Sequence, residues 1–499
     1  MTENANAERI ERHAGAIVTL ASIVLAAPTL LCRYLPMCDF PQYFATASIL
    51  SHLHDPHWNF EPYYDSALSH TLSYLPYLLA RSLAIALPLD FALRFIVFIA
   101  LALQPIGVMQ MLAARDKPRI YALLTFPFVY SSAWLWGLVA SGLSFSLALI
   151  ACGLVLRSKR TPREEFALGA LGIAIACTHV YGLLVLLILS AIWQRRGPEP
   201  RAWPRALWPA LLLALPWAWF AARAAAIGIS SYPTLSQRVF LFGANLGGFA
   251  GPYEATLFSA AIGALALLVW PAIPRSARAF ADLSDETRAV WKMWALAFVA
   301  YAILPVNTAA ALFIYPRPLV LLLALVPLLV PADALQTRAR LATSLPILIA
   351  AASIVFTSER LFAFDAEARD FDAIVAASKP GASVVALIYD ARGHVSEANP
   401  YSHFGAYLQA RRGGFLAGDF FKSAWTMPVQ LKVGLTTPPT VPGLPWDLVQ
   451  ALVSPELSEY DELLVRGFGL REMKGVGGFR DVLIAHKGEW SLYRGPKAK

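Results

Sequence analysis

Long, nearly uncharged runs recur along the chain, at 14–32, 90–113, 120–137, 138–156, 165–193, 204–228, 255–274, 289–313, 314–331 and 341–357. A bilayer core takes about 20 apolar residues per helical crossing and penalises charge at its centre, so each run is a candidate span. With 57% hydrophobic and only 15% charged residues among 499, the chain has too little polar surface for a soluble globule of this size. It reads as a polytopic α-helical membrane protein. The first run begins near Ala14 and is followed by no small-residue cleavage site, so it reads as a retained span.

Orientation follows from Lys and Arg. Arg9 and Arg12 put residues 1–13 in the cytoplasm and the polar passage after the first span outside. The net charge of +8 lies largely in short loops between apolar runs, which accounts for it without nucleic acid. The segment 68–88 carries Arg81 and two prolines; laid along the outer interface, it leaves both basic clusters, at 115–119 and 157–160, inside. The run 165–193 has strongly basic sequence on both sides, so it reads as a hairpin of two short helices turning at Thr178-His179-Val180-Tyr181-Gly182. The result is about 11 crossings, a transmembrane domain over 14–357 and a first outward loop over 33–89. Four cysteines make no disulfide framework; Cys152 and Cys177 lie within apolar runs, and Cys32 and Cys38 read as thiols at the membrane edge.

Beyond Phe356 charges, glycine and proline return. A helical FDAIVAASKPG precedes the strand-like Ser383 to Tyr389, Asp461 to Val465 is a second strand, and Val482-Leu483-Ile484 with Trp490-Ser491-Leu492-Tyr493 suggests a terminal hairpin. Residues 358–499 are therefore expected to form a small extracytoplasmic α/β domain.

The passage from Arg33 to His70 holds four of the nine histidines together with Asp39, Asp55, Glu61 and Asp65. Asp39 stands just beyond the first span and before Gln42 to Leu53, an amphipathic helix with Tyr43, Ala47 and Leu50 on one face. At that boundary partial desolvation would bring a carboxylate towards the range of a general base. An aspartate before Pro41 is equally an ordinary helix cap. The series His52, His54, Asp55 and His57 invites a metal reading with Asp39, His54 and His57 as candidates. These histidines do not share a helix face and Asp55-Pro56 reads as a turn, so a loop of interfacial histidines is the plainer account and no metal is assigned. Arginines near the outer face suit a lipid phosphate through bidentate hydrogen bonds: Arg81, Arg94 and, fixed between two prolines, Arg317. Each could instead snorkel to headgroups or pair with a structural acid. His70, Glu61, Asp65, Tyr253, Glu254 and the apical His179 complete the candidates for substrate contacts near the outer face, with capping or packing as their structural alternative. The fourteen tryptophans mark membrane interfaces rather than a cofactor site.

This layout resembles the GT-C superfamily of integral-membrane glycosyltransferases, which use polyprenyl-phosphate-linked sugars. More narrowly, Asp39-Phe40-Pro41-Gln42-Tyr43, Tyr401-x-His403-Phe404-x-Ala406-Tyr407 and Ala410-Arg411-Arg412-Gly413-Gly414 are similar to stretches in bacterial GT-C-like proteins of unassigned substrate. The resemblance implies an inverting transfer at the outer face of a bacterial inner (cytoplasmic) membrane, from a polyprenyl-phosphate sugar to a lipid, glycan or protein acceptor. Asp39 falls on the family's first-loop acid, whose implied role is base or ligand to a divalent cation, magnesium or manganese. The paired acid of many relatives is replaced here by Cys38 and Phe40, so a second acid would come from Asp55, Glu61 or Asp65, and Tyr43 stands where the narrower group often has His. A transporter or flippase and a catalytically silent membrane scaffold are the alternatives. The first lacks paired broken spans and a buried charge chain in the sequence; the second is kept open by the unpaired acid and by Tyr43.

Overall fold

The structure is a computed structural model that describes residues 2–68, 71, 73–157, 160–194, 203–226, 230–249, 252–308, 314–331, 339–396, 398–418, 427–432, 438–444, 447–467 and 483–495. They divide into two compact units. One comprises Met1–Leu31, Val97–Trp134 and Leu138–Arg360; the other comprises Cys32–Ile96, Leu135–Gly137 and Leu361–Lys499.

Most of the chain is helical, with strands concentrated towards the C-terminus. Among the described residues, four helical stretches are long and apolar enough to cross a membrane: Ile10–Leu31, Leu89–Ala113, Glu254–Ala272 and Ala342–Ala377. Leu20, Leu267, Leu348 and Val355 on them are each more than half exposed, an arrangement that water penalises and lipid does not. In the first unit, small residues let helix backbones approach. A Cβ at Gly107 would lie 2.6 Å from that of Leu149, and Ser146 Oγ donates to the Ala100 carbonyl at 2.6 Å.

Two runs expected to span are not single α-helices. Residues 120–137 form the 3-10 helix Arg119–Phe128 and the short helix Ser132–Leu135, with Pro127 unable to donate to the helix ladder. Every side chain from Ile120 to Phe128 is buried, so this stretch is apolar because it packs inside protein. The run 314–331 becomes the helix Arg317–Leu325 and a 3-10 turn Val326–Leu329 containing Pro327. The run 165–193 is two helices, Pro162–Thr178 and Val180–Gln194, separated by the single extended residue His179 (φ −169°, ψ 142°). A capping box of Thr161 and Glu164 starts the first of them.

Within the first unit, polar contacts join segments distant in the chain. Glu11 accepts from the backbone and side chain of Arg119, Arg115 pairs with Glu286, and Lys117 Nζ donates to the Val330 carbonyl at 2.7 Å. Elsewhere, Ser132 Oγ donates to the Asn245 carbonyl, Asn245 donates to the Tyr315 hydroxyl, and Arg238 donates to the Leu304 carbonyl.

The second unit is built on a five-stranded sheet in the order Phe415–Ala417, Ser383–Ile388, Glu462–Arg466, Trp490–Arg494, Leu483–Lys487. The first three strands are parallel and the last two antiparallel, with Val385 opposite Leu463 and Leu464 opposite Leu492. The helix Phe371–Ala377 leads into the second of these strands through Gly381 at φ +72°. Tyr34, Phe371, Tyr401, Phe404, Tyr407 and Trp490 form an aromatic core within this unit. Asp365 fixes the start of the first loop by accepting from the backbone N–H of Arg33 and of Tyr34 at 2.7 and 2.8 Å.

The expected helix after Asp39 is Phe40–His52, and its expected polar face is absent: Gln42, Thr46 and Ser48 are buried along with Phe40, Phe44 and Ile49. It packs against the helix Gly405–Arg412, where Ser48 Oγ donates to the Ala410 carbonyl. Within 68–88 the helix is Leu75–Leu83, nine residues, or about 13 Å at 1.5 Å per residue and too short to cross a bilayer core.

Candidate functional site

Asp39 sits at the N-cap of Phe40–His52, yet its carboxylate makes no cap hydrogen bond. The helix start relies on Pro41 and on the Asp39 carbonyl, which accepts from Gln42 and Tyr43. The cap reading is thus not the one the side chain follows. Its backbone is held by a neighbouring segment: Cys38 N–H donates to the Leu135 carbonyl at 2.9 Å and Asp39 N–H to that of Trp136 at 3.2 Å. Gly137, at φ +87°, closes this contact. A Cβ there would lie 2.5 Å from the Asp39 nitrogen.

His403 is the residue the fold brings to Asp39. Its Nε2 lies 3.5 Å from Asp39 Oδ1, with the imidazole side chain 5% exposed and the carboxylate 23%. The ring comes from the turn before Gly405–Arg412, where the His403 carbonyl accepts the Ala406 N–H at 2.9 Å. Burial pushes the His403 imidazole down to about 4, so it is neutral at physiological pH. Burial first, and then the Asp39 charge, push the Cys38 thiol well above its ordinary range. A short way along the helix, Tyr43 stacks face to face on Tyr77, with centroids 5.5 Å apart and planes 10° apart. A partly exposed carboxylate beside a buried neutral imidazole can accept a proton from a bound hydroxyl, while the imidazole steadies its charge.

Among the described residues, Cys38, Asp39 and His403 are the one group of three such side chains placed to hold a metal ion, their ligand atoms lying within 4.8 Å of one another. Magnesium and manganese favour oxygen donors, so a set of thiol, imidazole and one carboxylate does not fit them. His54 and His57 are exposed and outside this group; His54 Nδ1 is 3.3 Å from Glu61, and the His57 N–H donates to Asp55.

The other candidates separate by role. Arg94 is buried, donating to the Cys32 carbonyl at 2.7 Å and pairing with Asp90 at 3.2 Å. Arg81 is exposed in the last turn of its helix. Asp65 lies on the strand Tyr64–Ser66, 3.5 Å from Lys432, and Lys432 also donates to the Glu61 carbonyl. Glu254 Oε1 accepts from the N–H groups of Gly248 and Phe249 at 3.1 Å each, which fixes a turn. Tyr253 is in the first turn of Pro252–Val269. His70 lies outside the described residues. Cys32 and Cys38 are both reduced.

Arg317 and His179 meet in the first unit, with Arg317 Nη1 3.5 Å from His179 Nε2. Tyr181 N–H donates to His179 Nδ1 at 3.0 Å, and the Tyr181 hydroxyl donates to the Arg317 carbonyl at 2.6 Å. The imidazole thus meets a backbone N–H at Nδ1 and the Arg317 guanidinium at Nε2. Arg317 and Tyr181 also line a cavity of about 30 Å³ with Gln104, Ser131, Trp134 and Ser141.

His403 and Cys38 carry no role in the sequence reading, although both adjoin or lie in the motif-like stretches. The adjacency of Cys38 to Asp39 was visible; the approach of a histidine so distant in the chain was not. The chain matches no protein-family model, no curated protein and no solved structure.

Proposed function

We propose that this protein is a GT-C-like membrane glycosyltransferase that moves a sugar from a polyprenyl-phosphate donor to a lipid, glycan or protein acceptor at the outer face of a bacterial inner membrane. The observation that carries the reading is the Asp39 carboxylate, held just beyond the first apolar helix, partly exposed, and set beside the buried imidazole of His403. In the proposed reaction the acceptor hydroxyl gives its proton to Asp39 as its oxygen attacks the anomeric carbon. The bond from that carbon to the lipid phosphate breaks on the opposite face, the phosphate leaves with the electron pair, and the anomeric configuration inverts. His403 is the positioning residue for the carboxylate. Within the first unit, Arg317, whose guanidinium lies beside His179 and a small cavity, is the proposed contact for a lipid phosphate. The proposal includes a cytoplasmic N-terminus, about 11 crossings and an outward C-terminal domain. The gathering of Arg115, Lys117 and Arg119 with Glu11 and Glu286 supports that orientation.

The test is sugar transfer from a panel of polyprenyl-phosphate sugars in membranes holding wild-type or Asp39→Asn protein at matched levels. Loss of about 100-fold or more in the variant is expected for removal of a general base. Equal transfer by the two proteins would overturn the mechanism and favour a scaffold.

A further inference from the structure

We propose that Cys38, Asp39 and His403 form a binding site for a zinc-class metal ion, with three protein ligands and a fourth position open on the side of Asp39. The donor set is the first argument. Thiolate, imidazole and carboxylate are the three side-chain ligands that zinc takes, and three of them with an open position is the arrangement of catalytic rather than structural zinc.

The spacing is the second. His403 Nε2 and Asp39 Oδ1 are 3.5 Å apart, beyond the roughly 2.7–3.2 Å of a good N–H···O hydrogen bond. Metal bonds of about 2.0–2.1 Å to nitrogen and oxygen put tetrahedral ligands about 3.3 Å from one another, close to that separation. All three ligand atoms fall within 4.8 Å, so small side-chain rotations close the set.

Preorganisation is the third. Backbone hydrogen bonds to Leu135 and Trp136 hold Cys38 and Asp39, and Gly137 packs against them with no room for a side chain. Cys38 and His403 are 2% and 6% exposed, which leaves Asp39 as the open side. A bound ion of this class would supply Lewis acidity to a hydroxyl at the open position. The site belongs to the second unit alone and stands whether or not sugar transfer is the reaction.

The experiment is cobalt(II) titration of the full-length, chelator-treated protein in detergent, followed by the thiolate-to-cobalt charge-transfer band and by thermal stabilisation, with zinc competition. The expected result is about one ion per chain, a band abolished by Cys38→Ser and kept by Cys152→Ser, and displacement by zinc but not by excess magnesium. His403→Gln keeps the thiol and should weaken binding about ten-fold or more, which keeps the test decisive if Cys38→Ser fails to fold. Folded wild-type protein that takes up no cobalt, or a band that survives Cys38→Ser, would overturn the site. Because binding is read without turnover, metal uptake by a protein inactive on every donor would fail only the transfer reading.

Discussion

Each of the two units holds a histidine beside a charge, and the charges are opposite in sign. His403 lies 3.5 Å from the Asp39 carboxylate; His179 lies 3.5 Å from the Arg317 guanidinium. Next to an anion, a neutral imidazole can donate or share a ligand role, and it steadies negative charge. Next to a cation, the ring can only accept from the guanidinium, and the positive charge stays on the arginine. The same side chain therefore takes its role from its neighbour rather than from its own chemistry.

The largest effect should come from the reacting side of this contrast. Asp39→Asn should cost about 100-fold or more in transfer with little change in stability, while Arg317→Gln should raise the donor KM more than it lowers kcat; the two kinetic patterns, measured on one donor, separate base from grip. If both variants shifted KM alone, the distinction between the two places would collapse.

Gly137→Ala should be the most damaging change outside the reacting groups. It imposes a left-handed backbone on alanine and drives a methyl group to 2.5 Å from the Asp39 nitrogen, for an expected loss of about 3 kcal/mol in chemical denaturation. A stable and active Gly137→Ala protein would show that the Asp39 backbone is not held as described.

In metal-free protein, His403 should make stability depend on pH. Its folded value of about 4 lies below the unfolded value of about 6.5, so the unfolded chain binds more protons in between. Its contribution is therefore complete above about pH 6.5 and is lost as pH falls towards 4, amounting to at most about 3 kcal/mol. Denaturant midpoints of wild type and His403→Gln should converge as pH falls through that window; parallel curves would refute a buried neutral imidazole.

Arg94→Ala should cost about 2–3 kcal/mol, because it leaves the Cys32 carbonyl and Asp90 without their partner, and leave the donor KM unchanged. Arg81→Gln, on an exposed turn, should stay within about 0.5 kcal/mol. A large donor-KM effect of Arg81→Gln would return it to the phosphate site.

The sequence carried the class of fold well because lipid-compatible helices announce themselves by composition and length. Leu89–Ala113 and Pro252–Val269 follow the runs read at 90–113 and 255–274, and the strand Ser383–Ile388 follows SVVALIY. It read 120–137 as one run, where the chain forms a 3-10 helix and a short α-helix; Pro127 was the available signal. It also assigned a polar face to Phe40–His52, where Gln42 and Ser48 are buried by packing that periodicity cannot report.

The sequence by itself determined that Asp39 would stand just past an apolar helix, that Arg317 would sit in a proline-fixed bend, and that strands would gather towards the end of the chain. Local propensity and hydropathy act over tens of residues, and these features are local. Only the tertiary structure decided that Asp39 would not cap its helix, that His403 and Cys38 would converge on it, and that Arg94 would be tied to a carbonyl and Asp90. Those outcomes depend on contacts between residues far apart in the chain, on the depth of burial, and on the one glycine whose missing side chain lets Leu135–Gly137 lie against Asp39.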